Sequence, residues 1–266
     1  MRLIKIVERG VMRFSYSVSV ILFFITFSVK GSESQWIDLF NGKDLSNWQV
    51  KFTGFPLGDN FRDTFLVEDG VLKVSYDNWP KFDGEFGHLF TKNAYSNYRL
   101  RVEYRFVGDQ VEGGPLWAYR NNGMMLHSQS PETMALNQEF PVSIEAQMLG
   151  GQGEGPRPNG NVCTPGTNMV MEGFLVTQHC TNSTSKTYPG DEWVTLEIEV
   201  LGSEKITHFL NNEAVLMYED IQFDPDDEDA KKLVERDNDL LLDHGHIAIQ
   251  AETAPIEFRK IQILPL

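Results

Sequence analysis

Residues 98–106 read Tyr-Arg-Leu-Arg-Val-Glu-Tyr-Arg-Phe, and this stretch decides the fold because apolar and charged side chains alternate throughout it. Successive side chains of a β-strand point to opposite faces of the sheet, so one face here is apolar and the other is charged. Residues 194–200 repeat the pattern, with Val, Leu, Ile and Val alternating with Thr, Glu and Glu. Both segments therefore predict strands with one face on the core and one in water.

The remainder of the chain is typical of many short strands joined by turns. A final strand starts at Ile256 and changes phase before Ile263, which predicts a bulge at Arg259–Lys260. Glu68–Gly70 and Asn211–Glu213 lie between apolar runs and predict hairpins. The pattern as a whole predicts a β-sandwich or barrel. Further predicted strands are Trp48–Phe52, Val71–Tyr76, Gly87–Thr91, Leu116–Arg120, Met124–His127, Ile144–Leu149, Val170–Val176, Ile206–Leu210 and His246–Gln250.

One helix is predicted, from Pro225 to about Arg236, with Asp224 as the N-cap. Its density of charged residues is typical of a solvated surface insertion. The segment Gly150–Gly166 is rich in Gly, Pro and Asn and is too long for a tight turn. Long ordered loops in compact domains often carry function, so this one is a candidate for part of a site.

The first 31 residues have the character of a signal peptide. A basic start precedes an apolar run, Val18–Val29, that is shorter than the ~20 residues a membrane span needs. We expect cleavage after Gly31, with a retained N-terminal anchor as the alternative. Residues 1–31 hold five basic groups and one acidic group, so cleavage takes the formal net charge from −15 to −19. The signal segment predicts that residues 32–266 form a periplasmic or extracellular domain. Because this part of the chain is so acidic, we expect it to have no nucleic-acid or membrane partners.

The chain has two cysteines, Cys163 and Cys180. In an exported protein, a single pair predicts one disulfide. A metal site is the alternative, since His179 adjoins Cys180, but the spacing fits no zinc pattern.

Two polar side chains on an apolar strand indicate a site. Glu145 and Gln147 are two residues apart and share one face of the predicted strand, whereas Ile144, Ala146 and Met148 take the other. A carboxylate beside an amide is costly in a dry core and is expected in a polar cleft.

An ordered set of motifs resembles the 3-keto-disaccharide hydrolase family, also described as 3-keto-glucoside-1,2-lyase/hydratase domains. The resemblance extends over Trp36–Leu266 and implies a concanavalin A-like jelly-roll sandwich of two antiparallel sheets. It also implies substrates that are glycosides oxidised to a ketone at C3, supplied by a separate sugar 3-dehydrogenase. The motifs are Trp36–Leu45 with Trp48, Val67–Leu72, Asn121–Gly123, Met125–Glu132, Ile144–Gln147, Val162–Thr167, His179–Ser183 and Phe258–Ile261.

Two positions depart from the family pattern. Members often have a His two residues after the Glu of the segment matching Gln250–Thr253, and this chain has Ala254 there. The family's Asn-Ser-Gly is Asn121-Asn122-Gly123 here. The first departure bears on whether the chain is active.

The implied chemistry needs a base and an acid. A C3 ketone makes the C2 proton acidic, because the resulting carbanion is delocalised as an enolate. The base removes this proton, the C1 substituent leaves, and water adds to the resulting 2-hydroxy-3-keto-glucal. Glu145 and His127 are the preferred acid/base candidates, with their placement on neighbouring strands as a hypothesis, and His179 is the third.

The remaining site assignments concern binding. Arg120 and Gln147 would hold the substrate or its enolate, Trp117 would stack on a sugar face or belong to the core, and Asn122 would bind substrate. A divalent cation is a second way to stabilise the enolate, with His127, Glu145 and His179 as its ligands. The other four histidines are expected to be structural; they are His88, His208, His244 and His246.

Three other functions stay open. A non-catalytic lectin-like module would have the same fold. A glucanase would need two carboxylates, and the alternate position on the Glu145 strand holds Gln147 instead. An exported structural or partner-binding protein is the third, and a flat, apolar face would favour it.

Overall fold

The computed structural model describes residues 35–237 and 239–266, so the predicted signal segment lies outside the described residues. Within this part of the chain, nearly all regular structure is β-strand. Its elements are β1 Ile37–Asp38, β2 Trp48–Phe52, β3 Phe65–Glu68, β4 Val71–Val74, β5 Gly87–Thr91, β6 Asn97–Phe106, β7 Asn121–Ser128, β8 Ile144–Leu149, β9 Asn161–Cys163, β10 Thr167–Met171, β11 Phe174–Val176, β12 Cys180–Thr181, β13 Val194–Leu201, β14 Lys205–Leu210, β15 Glu213–Phe223, α1 Glu228–Asp237, β16 His246–Ala251 and β17 Ile256–Pro265.

The strands form two antiparallel sheets, which confirms the predicted all-β jelly-roll sandwich. The larger sheet has the order β11-β10-β15-β14-β13-β6-β17-β4-β3, and β1 pairs with β17. The smaller sheet has the order β12-β9-β8-β7-β16-β5-β2. None of the helices in residues 35–237 and 239–266 has the length and apolar character of a membrane span.

The alternation in β6 positions this strand at the centre of the larger sheet. Its apolar side chains, from Tyr98 to Phe106, are buried in the main core between the sheets. On its other face, Arg101 pairs with Glu197 at 2.9 Å and Arg105 pairs with Glu257 at 2.7 Å. The arginine side of each pair is partly exposed to solvent, which weakens the attraction, so burial of the apolar face contributes most to holding the strand in place.

The predicted turns and the bulge are confirmed. β3 and β4 form a hairpin around Asp69 and Gly70, and both residues have positive φ. Asn211 and Asn212 likewise have positive φ between β14 and β15. Pairing of β17 with β6 shifts register after Phe258, where the change of phase predicted a bulge.

Some predicted boundaries are wrong. Leu116–Arg120 is not a strand: Leu116–Ala118 forms a 3₁₀ turn, and β7 begins at Asn121. Val170–Val176 is not one strand but part of the β10–β11 hairpin, which turns at Glu172 and Gly173 with positive φ.

The helix begins three residues later than predicted because Asp227 caps it. The Asp227 carboxylate accepts hydrogen bonds from the backbone N–H groups of Asp229 and Ala230, at 3.0 and 2.8 Å. Asp224 instead accepts from Asp226 in the preceding turn. The helix is also less solvated than predicted, since Ala230 and Leu233 are buried in the main core.

Candidate active site

The outer face of the smaller sheet carries a patch of polar side chains. Glu145 on β8 lies opposite Cys163 on β9, and Gln147 lies opposite Asn161. The Asn161 side-chain amide donates to Gln147 Oε1 at 3.1 Å. The prediction that Glu145 and Gln147 share a face is therefore confirmed, and the intervening residues are buried in the core between the sheets.

This patch forms the floor of a cavity of about 370 Å³. Its size suits a small organic ligand. The floor is polar and the walls are largely apolar. The lining residues are Trp117, Asn121, Phe140, Glu145, Gln147, Cys163, Pro165, His179, Cys180 and Glu252.

Gly123 makes room for the floor side chains. A Cβ atom at this position would lie 2.3 Å from Glu145 Oε1 and 2.7 Å from Gln250 Oε1, both far inside van der Waals contact. The side chains of β8 and β16 therefore meet directly over the β7 backbone. The glycine of the Asn-Asn-Gly motif therefore lies in the middle of a strand and not in a turn. It is needed there because it allows the side chains of Glu145 and Gln250 to approach the β7 backbone closely.

Two buried carboxyl groups face this cavity. Glu145 is 6% exposed, and Glu252, which follows β16, is 4% exposed. Burial raises the pKa of Glu145 to about 8, and a hydrogen bond from Gln250 offsets part of that rise. Burial and the nearby Glu145 charge raise the pKa of Glu252 well above its ordinary value. Because two like charges this close oppose each other, one carboxyl of the pair stays protonated when the other ionises.

The backbone after Glu252 is held in an unusual conformation. Thr253 has a φ of 82°, which is strained for a β-branched residue. Its N–H donates to the Tyr76 hydroxyl at 2.6 Å, and its own hydroxyl accepts from Gln110 at 2.7 Å. These contacts fix the turn that directs Glu252 to the cavity, and such strain is typical of functional sites.

Three oxygens of the residues that line the cavity have no hydrogen-bond donor in the described part of the chain, and they are Asn121 Oδ1, Glu145 Oε1 and Glu252 Oε2. A buried acceptor without a donor costs free energy, about 1–3 kcal/mol each. The floor is therefore suited to a ligand that carries several donors.

Several predicted site residues do line this cavity. Glu145, Gln147, His179 and Trp117 all face it. Trp117 is half-exposed at the rim and not part of the core. His179 is exposed, and its backbone carbonyl accepts from Thr164 beside the disulfide.

His127 lies elsewhere, although β7 and β8 are neighbours as predicted. Its φ is 48°, at a register irregularity between β7 and β16, and its ring points away from Glu145. Nε2 lies 3.0 Å from the Gly202 carbonyl oxygen, and the ring packs against Tyr98. Burial lowers the pKa of His127 to about 4. Its pairing with Glu145 as acid and base is therefore wrong.

Arg120 and Asn122 also fall outside the cavity. The Arg120 guanidinium donates to the Pro189 carbonyl at 2.6 Å and packs on Gly150 and Gly190, so it fastens the long loop. Asn122 points to the opposite face of β7, where its amide donates to the Gln250 carbonyl at 2.7 Å. Both are structural residues: Arg120 holds the long loop, and Asn122 links β7 to β16 beneath the cavity floor.

Two residues of this face were missed from the sequence. Glu252 lies two positions after Gln250, the same spacing that drew attention to Glu145 and Gln147, so the signal was present. His88 lies opposite Gln250 and packs edge-on against Phe140. Burial and the nearby Lys51 charge lower the pKa of His88 to about 3, so its ring is neutral.

The predicted disulfide between Cys163 and Cys180 is confirmed, and it joins β9 to β12. The cluster of these two cysteines with His179 is therefore not a metal site, because both sulfurs are bonded to each other. Ala254, at the position of the family His, is buried in the main core.

The jelly-roll sandwich thus presents a ligand-sized cavity with a buried pair of carboxyl groups, and the family to which the chain belongs is one of carbohydrate-active proteins. The chain belongs to the family described as 3-keto-alpha-glucoside-1,2-lyase-like domain, which matches residues 35–264. No curated protein sequence matches the chain.

Solved structures are similar to the chain at low sequence identity. A “putative glycosyl hydrolase” from Parabacteroides distasonis ATCC 8503 has a TM-score of 0.50 and 21% identity, over 87% of this chain and 100% of that one. A second from the same organism has a TM-score of 0.49 and 18% identity, over 87% and 94%. A β-glucanase of Bacillus licheniformis has a TM-score of 0.49 and 11% identity, over 88% and 98%. At 21% identity, the similarity to the first Parabacteroides distasonis structure shows only that the fold is shared.

Proposed function

We propose that this protein cleaves 3-keto-glycosides by elimination across C1 and C2, followed by hydration of the product. The observation that carries the proposal is the Glu145–Glu252 pair, in which one carboxyl can ionise while the other stays protonated. Elimination needs both a base and an acid at one substrate. The chain's membership of the lyase-like family supports the same chemistry.

In this proposal Glu145 is the base and Glu252 is the acid, since the charge on Glu145 raises the pKa of Glu252 and so favours its protonated form. Glu145 takes the C2 proton, and the electron pair of that bond moves into an enolate on the C3 oxygen. Collapse of the enolate expels the C1 oxygen with its bonding pair, and Glu252 donates a proton to this leaving group. Water then adds at C1 of the glucal and gives one of its protons to the Glu252 carboxylate, while Glu145 returns a proton to C2. This gives the free 3-keto-sugar and restores both carboxyl groups to their starting states.

Gln147 is the donor to the enolate oxygen in this proposal. Its Oε1 already accepts from the Asn161 amide at 3.1 Å. Asn161 is itself fixed, since its amide also donates to the Pro158 carbonyl and its Oδ1 accepts from the Ser183 N–H. This network sets the orientation of the Gln147 amide and leaves its N–H groups for a ligand.

The mechanism uses no metal ion. Of the three expected cation ligands, Glu145 and His179 line one cavity and His127 does not. The unpaired oxygens of Asn121, Glu145 and Glu252 would suit a hard cation such as Mg²⁺ or Ca²⁺. A cation bound to both carboxylates would, however, occupy the lone pairs that remove and deliver protons, so we propose that substrate hydroxyl groups donate to these oxygens instead.

A glycoside hydrolase is the second candidate. The sequence disfavours it because the alternate position on the Glu145 strand holds Gln147, but Glu252, which follows β16, brings a second acid to the same cavity. Two carboxyl groups facing one sugar are the minimum for that reaction as well. A lectin-like module is less well supported, because binding alone does not need two buried acids with raised pKa values.

The test is cleavage of a 3-keto-disaccharide and, separately, of its unoxidised parent by purified residues 32–266. We expect cleavage of the keto form only, with a loss of ~10²–10⁴-fold in Glu145→Gln and Glu252→Gln. Glu204→Gln, on an exposed turn, is the matched control and keeps full activity. Cleavage of the parent would establish the glycosidase, and binding without cleavage of either would establish the lectin.

We also propose that the protein is exported and acts after a separate dehydrogenase that makes the 3-ketone. The disulfide supports an oxidising compartment. The need for a dehydrogenase follows from the substrate chemistry, since an ordinary glycoside has no ketone to acidify C2.

A further inference from the structure

The walls of the cavity differ in chemistry from its floor. Apart from the cysteines, five polar residues of the described chain line the cavity. Four of them lie on the smaller sheet or directly after its strand β16, and these are Asn121, Glu145, Gln147 and Glu252. The fifth, His179, lies at the rim. The rest of the wall is Trp117, Phe140, Pro165 and the disulfide. The floor therefore offers hydrogen bonds to one part of a substrate, while the walls offer mainly apolar surface to another.

Trp117 is held ready at this wall. It is 53% exposed. Its ring lies over Phe86 with centroids 5.9 Å apart and planes inclined by 30°, and Phe86 packs on Phe140 at 4.9 Å. Since Phe86 is buried, it supports both of the aromatic side chains that reach the cavity. The aromatic surface is thus formed by protein contacts before any ligand binds, which lowers the entropy cost of binding.

We propose that the group leaving from C1 is aromatic, so that the substrates are aryl 3-keto-glycosides. This inference rests on the proposed function. A sugar leaving group would bring several hydroxyl groups to the wall and need partners for them, and His179 alone is available there. A flat, weakly polar ring can stack on Trp117 and Phe140 without that cost.

An aromatic group leaves from C1 by the same bond changes as an alkyl group. The C1–O bond breaks with its electron pair on the phenolic oxygen, and the Glu252 proton converts this to a neutral phenol. A phenoxide is a weaker base than an alkoxide, so an aromatic group departs more readily and needs less assistance from the site.

The test compares KM for phenyl, glucosyl and methyl 3-keto-glucosides, in both anomers, on the wild type, Trp117→Ala and Leu116→Ala. Leu116 is 89% exposed, adjoins Trp117 and does not line the cavity, so it is a matched control. We expect the lowest KM for the phenyl substrate. Trp117→Ala raises this KM about 10-fold and leaves that of the methyl substrate within 3-fold, and Leu116→Ala changes neither.

The outcomes separate the two proposals. A lower KM for the glucosyl substrate, or an equal effect of Trp117→Ala on all three, overturns the aromatic leaving group while the lyase function stands. No cleavage of any of the three overturns the proposed function itself. In that case, calorimetry with unoxidised phenyl and methyl glucosides still tests whether the wall binds an aromatic group. Tighter binding of the phenyl glucoside that is lost in Trp117→Ala would support an aromatic-binding wall, and equal binding of the two would overturn it.

Discussion

Replacing Glu145 by Gln should change how stability depends on pH, because a buried carboxyl is replaced by a neutral group of the same shape. Burial raises the pKa of Glu145 from 4.5 to about 8. The folded protein therefore prefers the protonated acid. The stability from this preference is fully present below pH 4.5 and is lost as pH rises through about 8.

The size of the effect follows from the raised pKa. One pKa unit corresponds to 1.36 kcal/mol, so moving from pH 5 to pH 9 costs the wild type about 4 kcal/mol through this group. Glu145→Gln has no such group and should not lose this share. For a domain of this size, the difference corresponds to roughly 8–16 °C in Tm.

The assay is urea unfolding of both proteins at pH 5, 7 and 9. Glu204→Gln, which removes an exposed carboxyl, serves as the control and should follow the wild type. Between pH 5 and pH 9 the free energy of unfolding of the wild type should fall by about 4 kcal/mol more than that of Glu145→Gln, so the variant gains stability relative to the wild type as pH rises. Parallel curves for the two would refute the reasoning, since Glu145 would then be ionised in the folded protein at every pH tested.

Three further predictions concern the same cavity. Gly123→Ala should lower kcat/KM at least ~100-fold and reduce the free energy of urea unfolding by ~1–3 kcal/mol, because the added Cβ would lie 2.3 Å from Glu145 Oε1. A fully active variant would show that the floor has another geometry. Glu252→Gln should harm substrates with poorly departing alkyl groups more than nitrophenyl substrates, because it removes the acid, and equal losses in the two kcat values would argue against that role. Rates should be unchanged by EDTA and not raised by Mg²⁺ or Ca²⁺, and loss with EDTA that added metal restores would instead assign the floor oxygens to a cation.

The fold could be predicted because its signal is local. The alternation in residues 98–106 and 194–200 specifies two central strands, and the paired turns specify their hairpins. The Leu116–Arg120 segment was mistaken for a strand since its apolar residues are consecutive, whereas in the structure two of them are exposed at the rim. Apolar character alone does not tell core from ligand-facing surface.

The site could be predicted only in part, because it is assembled from distant strands. Glu145 and Gln147 were found from their spacing on one strand. Glu252 joins them through the pairing of β16 with β7, more than a hundred residues away, which no local pattern reports. His127 was misplaced because an irregularity in β7 turns its side chain away, a backbone event that the sequence does not reveal.

The central claim is that the C2 proton leaves during the reaction. The most direct measurement is the fate of deuterium at C2 of a 3-keto-glycoside, followed by mass spectrometry, with Glu145→Gln and the isolated product as controls for spontaneous exchange. Elimination and hydration predict a primary isotope effect on kcat, and loss of the label to water in every turnover in which the Glu145 carboxyl exchanges with solvent before it returns a proton to C2. Cleavage with the label retained and no isotope effect would contradict the elimination and point to direct hydrolysis at C1.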